Sequence, residues 1–119
     1  MKKVLLVEDS HEIQQGYKES LEGKVEVLQA YTVEQALEIL EREWENIDIV
    51  SLDFYLDDAD FNKNTIELTQ MIRSSFVTII AIAASWHHES RETQMKLLKC
   101  QYESPKEELP ELILELIND

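Results

Sequence analysis

Three carboxylates are placed where they could do chemistry together. Glu8-Asp9 ends the apolar run Val4-Leu5-Leu6-Val7, and Asp53 ends the run Ile47-Asp48-Ile49-Val50-Ser51-Leu52. Parallel neighbouring strands end on the same side of a sheet, so acids over forty residues apart in sequence can converge. Like charges at close range raise each other's pKa unless a cation joins them. Mg²⁺ suits such a group, because it takes one or two carboxylates, other oxygen donors and retained waters. A carboxylate beside the metal can also attack phosphorus while the ion stabilises the transferring oxygens. Either cluster alone is an ordinary solvated strand end; two clusters on adjacent strands make a site.

Other reactive side chains carry less. His87 and His88 are adjacent, so on a helix they point apart, and no Cys or third His stands nearby to complete a metal site. Both are expected in solvent. Cys100 is the single cysteine, expected as a small buried hydrophobe in a reducing cytosol. Trp44 closes an apolar helical stripe and reads as core. Trp86 is an anchor for a partner if exposed and core if buried, and the sequence leaves both open.

The elements that must position the acids alternate between short β-rich runs and longer helical ones. Val4–Val7 is a strand covered on both faces. Ser10 caps a helix with Ile13, Tyr17 and Leu21 four apart, stopped by Gly23. A second strand follows over 24–30. Thr32 and Gln35 form a capping box ahead of the stripe Val33, Ala36, Leu37, Leu40, Trp44. The third strand is 47–52. A polar, acidic loop over 54–63 leads to a helix over 64–73, with Leu68, Met71 and Ile72 inward. The run 76–84 reads as the fourth strand, 90–98 as a helix and 99–102 as a short fifth strand. The last helix carries Leu112, Ile113, Leu116 and Ile117. Five β/α repeats with short connections imply an α/β fold: a doubly wound, five-stranded parallel sheet of flavodoxin-like order 2-1-3-4-5, helices on both faces.

Length and charge bound the rest. At 119 residues, positions 1–119 suit one domain with a core that needs no disulfide or metal. No apolar run approaches the ~20 residues of a membrane span, and the short run after Lys2-Lys3 ends in acids, unlike a signal peptide. A net charge of −14 opposes direct nucleic-acid binding, which needs clustered Lys and Arg, and favours cations or basic proteins as partners.

Val4-Leu5-Leu6-Val7-Glu8-Asp9-Ser10 and Ile47-Asp48-Ile49-Val50-Ser51-Leu52-Asp53 resemble the first and third strands of response-regulator receiver domains, the CheY-like family. The resemblance covers nearly the whole chain in order of elements. It implies that Asp53 accepts a phosphoryl group from a histidine kinase or phosphotransfer protein. It also implies that Asp9 binds Mg²⁺ directly, Glu8 largely through water, and the Tyr55 carbonyl completes the set. Output would pass to a downstream protein target, with Trp86 and Tyr102 on the partner surface. In the family a Thr or Ser ends strand four; here Ala83 or Ala84 stands there, with Ser85 just beyond. A Lys precedes the Pro after strand five; here Ser104 precedes Pro105, and Lys106 follows it. Ala84, Ser85 and Lys106 are therefore the candidates for contacting phosphate. Ser104-Pro105-Lys106-Glu107 also reads as a helix start, with Ser104 as cap and Glu107 as box partner, and this is the favoured reading of the segment.

Two alternatives accompany the receiver reading. One is a pseudo-receiver, the same fold used as an interaction module without phosphorylation. The other is a Mg²⁺-dependent phosphohydrolase with Asp53 as nucleophile, opposed by Tyr55 where a second acid is needed.

Overall fold

The structure, a computed structural model, describes residues 1–54 and 61–118, the side chains of 61–64 excepted. Its sheet has the order β2-β1-β3-β4-β5 and every pairing is parallel. The strands are β1 (Lys3–Val7), β2 (Glu26–Ala30), β3 (Ile49–Leu52), β4 (Ile80–Ala84) and β5 (Tyr102–Ser104). The helices are α1 (His11–Leu21), α2 (Val33–Glu43), α3 (Phe61–Ser75), α4 (His88–Lys96) and α5 (Leu109–Ile117).

Alternate residues of the central strands face opposite layers, as the pleat requires. Val4 and Leu6 join Tyr17, Leu21, Ile82 and Ile113 in the layer under α1 and α5. Leu5 and Val7 join Leu40, Val50, Leu68 and Ile72 in the layer under α2 and α3. Such double cover explains why these strands are continuously apolar rather than alternating.

Local signals set the helix starts. The Ser10 hydroxyl accepts from the Ile13 amide at 3.2 Å, and the Thr32 hydroxyl accepts from the Gln35 amide at 3.1 Å. Gly23 takes φ +82° after α1, a conformation that glycine adopts without penalty. In register, Val7 pairs with both Ala30 and Leu52, Leu52 with Ala83, and Ala84 with Ser104. All five strands thus finish level, and whatever follows each one gathers at one edge.

Several boundaries differ from the sequence reading. The fourth strand begins at Ile80, not at Phe76, because α3 runs on to Ser75 and its end consumes the next residues. Phe76 donates to the Ile72 carbonyl and Ile79 to the Phe76 carbonyl, leaving β-branched Val77 66% exposed. Helix α3 starts at Phe61, three residues ahead of the expected Asn64. Its inward residues are Leu68 and Ile72 with Thr65 and Thr69, whereas Met71 points outward. The fifth strand lies at Tyr102–Ser104 because Lys99, at φ +58°, closes α4 first, with the Cys100 amide donating to the Gln94 carbonyl.

The helix start at Ser104 is also corrected. Ser104 ends β5, and its hydroxyl donates to the Pro105 carbonyl at 2.7 Å instead of capping. A 3-10 turn over Lys106–Glu108 intervenes before α5, which carries Pro110 in its first turn.

Candidate functional site

Strand ends β1 and β3 deliver the acidic trio. Glu8 is buried, and its Oε2 accepts from the Ser10 amide at 3.0 Å. Asp53 is buried as well, while Asp9 is half-buried. One carboxylate oxygen from each of Glu8, Asp9 and Asp53 lies within 4.8 Å of the others. The expected convergence is therefore present. Tyr55, whose carbonyl was expected to complete the set, lies outside the described residues.

Lys106 closes the group from the 3-10 turn. Its ammonium lies 2.6 Å from Glu8 Oε1 and 2.8 Å from Asp53 Oδ2, and the residue is 7% exposed. Burial alone would lower the lysine pKa, but hydrogen bonds to Asp53 and Glu8 outweigh it and the net shift is upward. Glu8 shifts the other way from a normal paired acid. Burial pushes its carboxyl up to about 7, reinforced by a hydrogen bond to Asp9, and Lys106 and the Ser10 amide offset only part of this.

The β4–α4 turn supplies the fourth wall. Ala84, paired with Ser104 at the end of β4, has no polar side chain to offer. Ser85, one residue on, does reach the site: its hydroxyl donates to Asp53 Oδ1 at 3.3 Å. Arg91 fixes this turn, donating from one nitrogen to the carbonyls of Ser85 at 2.7 Å and Trp86 at 3.2 Å. Its Nε meets Glu103 of β5 at 3.4 Å.

Two buried glutamines brace the strand ends and escaped sequence reasoning. The Gln14 amide nitrogen donates to the carbonyls of Leu6, Glu8 and Ala30 at 2.9, 3.1 and 3.1 Å. Gln29 donates to the Gln14 side-chain oxygen at 3.0 Å. Gln94 of α4 donates to the Leu52 carbonyl, one residue before Asp53. Their signal is faint: a polar residue on the inward face of a helix, as Gln14 sits between Ile13 and Tyr17.

The remaining candidates separate clearly. Trp86 is 52% exposed with its ring centroid 5.8 Å from the Lys106 ammonium, and Tyr102 lies partly exposed on edge strand β5. His87 and His88 are exposed, and His88 faces Glu92 at 3.4 Å. Cys100 is buried, and burial pushes its thiol up to about 12, so it is unreactive. Trp44 is half-buried against Phe76.

An open, doubly wound α/β sheet with an acidic pocket beyond the carboxyl ends of β1 and β3 is the class this geometry defines. No family model and no curated protein matches the chain. Solved structures do. A CheY-like response-regulator receiver domain from Methanospirillum hungatei JF-1 is 22% identical, covering 99% of this chain and 91% of its own, with a TM-score of 0.80. A response regulator from Thermotoga maritima is 19% identical, covering 100% and 99%, with a TM-score of 0.79. The response regulator TrrA from Thermotoga maritima, solved in complex with Mg²⁺-BeF, is 25% identical, covering 98% and 99%, with a TM-score of 0.79. The fold of this chain is that of CheY-like receiver domains, over nearly its full length. No helix among the described residues is long and apolar enough to cross a membrane.

Proposed function

We propose that this chain is a receiver domain that accepts a phosphoryl group on Asp53 with Mg²⁺, in cytosolic two-component signalling. The observation that carries the reading is the convergence of Glu8, Asp9 and Asp53 within 4.8 Å, closed by Lys106. Three carboxylates from two strand ends form a hard-oxygen donor set that fits Mg²⁺. Glu8, Asp9 and Asp53 would hold the ion, which when bound neutralises charge on the transferring phosphoryl oxygens.

The protein's own groups do the rest. An Asp53 oxygen attacks phosphorus, forming a P–O bond. The P–N bond of a phosphohistidine donor breaks, and the released imidazole takes up a proton. Before transfer, Lys106 and Ser85 hold the two Asp53 oxygens in place. Afterwards the negative charge resides on the phosphoryl oxygens, and the same ammonium and hydroxyl are the nearest donors to follow it. In this reading the role is that of a signalling module rather than an enzyme. A histidine kinase or phosphotransfer protein supplies the group. Trp86 and Tyr102 lie on the surface offered to a downstream protein.

Acetyl phosphate with Mg²⁺ tests this without a kinase. Intact-mass spectra should show one phosphoryl adduct, with acetate released, and none in Asp53→Asn. A wild type that never gains mass favours the second reading, a pseudo-receiver working as an unphosphorylated interaction module. One observation supports that alternative. Lys106 already pairs with both Glu8 and Asp53, so part of the pocket's negative charge is compensated without metal or phosphate.

A further inference from the structure

Ser85 approaches Asp53 from a part of the chain that the sheet does not hold. The last pairing of β4 is Ala84 with Ser104, so Ser85 lies one residue past the ladder. Ser85-Trp86-His87 then joins β4 to α4 directly, with neither glycine nor proline to set the turn. Asp53 does not set it either. The buried Ser85 hydroxyl stands 3.3 Å from Asp53 Oδ1, beyond the ~2.5–3.0 Å of a well-made hydroxyl–oxygen bond. The restraint comes from Arg91, in the first turn of α4. Its Nη1 donates to the Ser85 carbonyl at 2.7 Å and the Trp86 carbonyl at 3.2 Å, and its backbone amide donates to the His87 carbonyl at 3.2 Å. One residue thus holds the carbonyl of every residue in the turn.

We propose that Arg91 is a positioning residue for phosphoryl transfer, holding the β4–α4 turn so that the Ser85 hydroxyl faces Asp53. This rests on Asp53 being the phosphoacceptor. The Arg91 side chain is only 12% exposed, and its one ion pair, from Nε to Glu103 at 3.4 Å, is long and ends on a carboxylate that is 41% exposed. Such a pair is screened by solvent and holds little. The shortest bond of the guanidinium goes to the Ser85 carbonyl, and a charged donor on a carbonyl is stronger than a neutral one. Arg91 therefore acts chiefly on the turn. Loosely bonded to the free carboxylate, the Ser85 hydroxyl is available to the charge that moves onto the phosphoryl oxygens, provided that the turn stays in place.

The test is a double-mutant cycle on the rate of phosphorylation by acetyl phosphate with Mg²⁺, read by intact mass. Arg91→Met and Ser85→Ala should each slow the adduct about tenfold, the equivalent of one charge-assisted hydrogen bond. The double variant should be no slower than the slower single, because the arginine acts through a hydroxyl already removed. Arg91→Lys should recover most of the rate, since one nitrogen makes both side-chain bonds to the turn and an ammonium carries three donors. Glu103→Gln removes the exposed pair alone and should leave the rate unchanged. Mg²⁺ affinity by calorimetry should be the same in Arg91→Met as in wild type, because the acidic trio is untouched. Should Arg91→Met fold poorly, Arg91→Gln runs the same cycle. A wild type that gains no adduct removes the phosphoryl reading and this role with it. Where the wild type is phosphorylated, an equal rate in Arg91→Met, or a double variant slowed by the product of the single effects, overturns the role of Arg91 alone. Weaker Mg²⁺ binding in Arg91→Met would overturn it too, by showing a pocket disturbed as a whole.

Discussion

The Lys106 ammonium sits 2.8 Å from Asp53 Oδ2, across 53 positions of sequence, and it does so from beyond β5 rather than from the strand's end. Pro105 turns the chain out of β5 and the following 3-10 turn brings the lysine back over the sheet edge. A lysine placed two residues after Ser104 thereby reaches the carboxylates, and Glu8 at 2.6 Å shares it.

Lys106→Met should therefore leave two buried acids without their shared cation. Breaking a buried pair by removing one partner costs about 3–5 kcal/mol, and the loss here is expected near the lower figure because Glu8 can take up a proton. Urea denaturation in chelator measures it. Excess Mg²⁺ should restore part of the stability, since binding to the native state alone raises it. With the competing ammonium gone, calorimetry should also give tighter Mg²⁺ binding in the variant than in wild type. Unchanged stability in chelator would mean that the ammonium does not bridge the two acids in solution.

Strand order and the acidic trio were legible because both rest on strong local patterns. Apolar runs such as Val4–Val7 suit doubly covered strands, and acids that end neighbouring parallel strands are brought to one edge of the sheet. Lys106 was read as part of a helix start because Ser-Pro-Lys-Glu carries good capping chemistry. The register of β5 against β4 overrode it by using Ser104 as a strand residue. Val77 and Ile79 have high strand propensity, yet the end of α3 claimed the segment, a tertiary outcome that propensity does not encode. Gln14, Gln94 and Arg91 act through backbone carbonyls, and no spacing rule marks such partners.

Lys99 offers a stability test away from the site. Among described residues it is the only non-glycine with positive φ, at 58°. A left-handed residue with a Cβ costs about 1–2 kcal/mol, and glycine avoids that cost. The gain is partly offset, because glycine also loses more freedom on folding. Lys99→Gly should stabilise the protein by about 0.5–1 kcal/mol in urea, with acidic-site properties unchanged.

Gln14→Leu should do the reverse. The substitution is close to isosteric but leaves the carbonyls of Leu6, Glu8 and Ala30 without their shared donor. Each unsatisfied buried group costs about 1–3 kcal/mol, though Leu6 and Ala30 also accept within the sheet region, so a total of about 2–3 kcal/mol is expected. Since one of these carbonyls belongs to Glu8, Mg²⁺ affinity should fall along with stability. A purely structural glutamine would lower stability and leave the affinity of the folded protein intact, and titration calorimetry separates the two.

The pH dependence follows from Glu8. Its folded pKa is about 7 against 4.5 when unperturbed, chiefly because burial penalises the charge. In the pH range between these values the folded state holds a proton that the unfolded chain releases. The contribution of this group is therefore fully present below about pH 4.5 and is lost as pH rises through about 7. Glu8→Gln keeps the shape and cannot ionise, so it should lack this loss. The free-energy difference between wild type and variant should change by on the order of 2 kcal/mol between pH 4.5 and 7.5, one pKa unit being worth about 1.4 kcal/mol and solvent screening reducing the full shift. The wild type should lose stability relative to Glu8→Gln as pH rises. Mg²⁺ should flatten the wild-type curve, because an ion held by the trio favours the ionised carboxylate. Denaturation curves of both proteins across this range in chelator decide it. Parallel curves would mean that Glu8 titrates as it does in the unfolded chain, and that its burial beside Asp9 and Asp53 does not persist in solution.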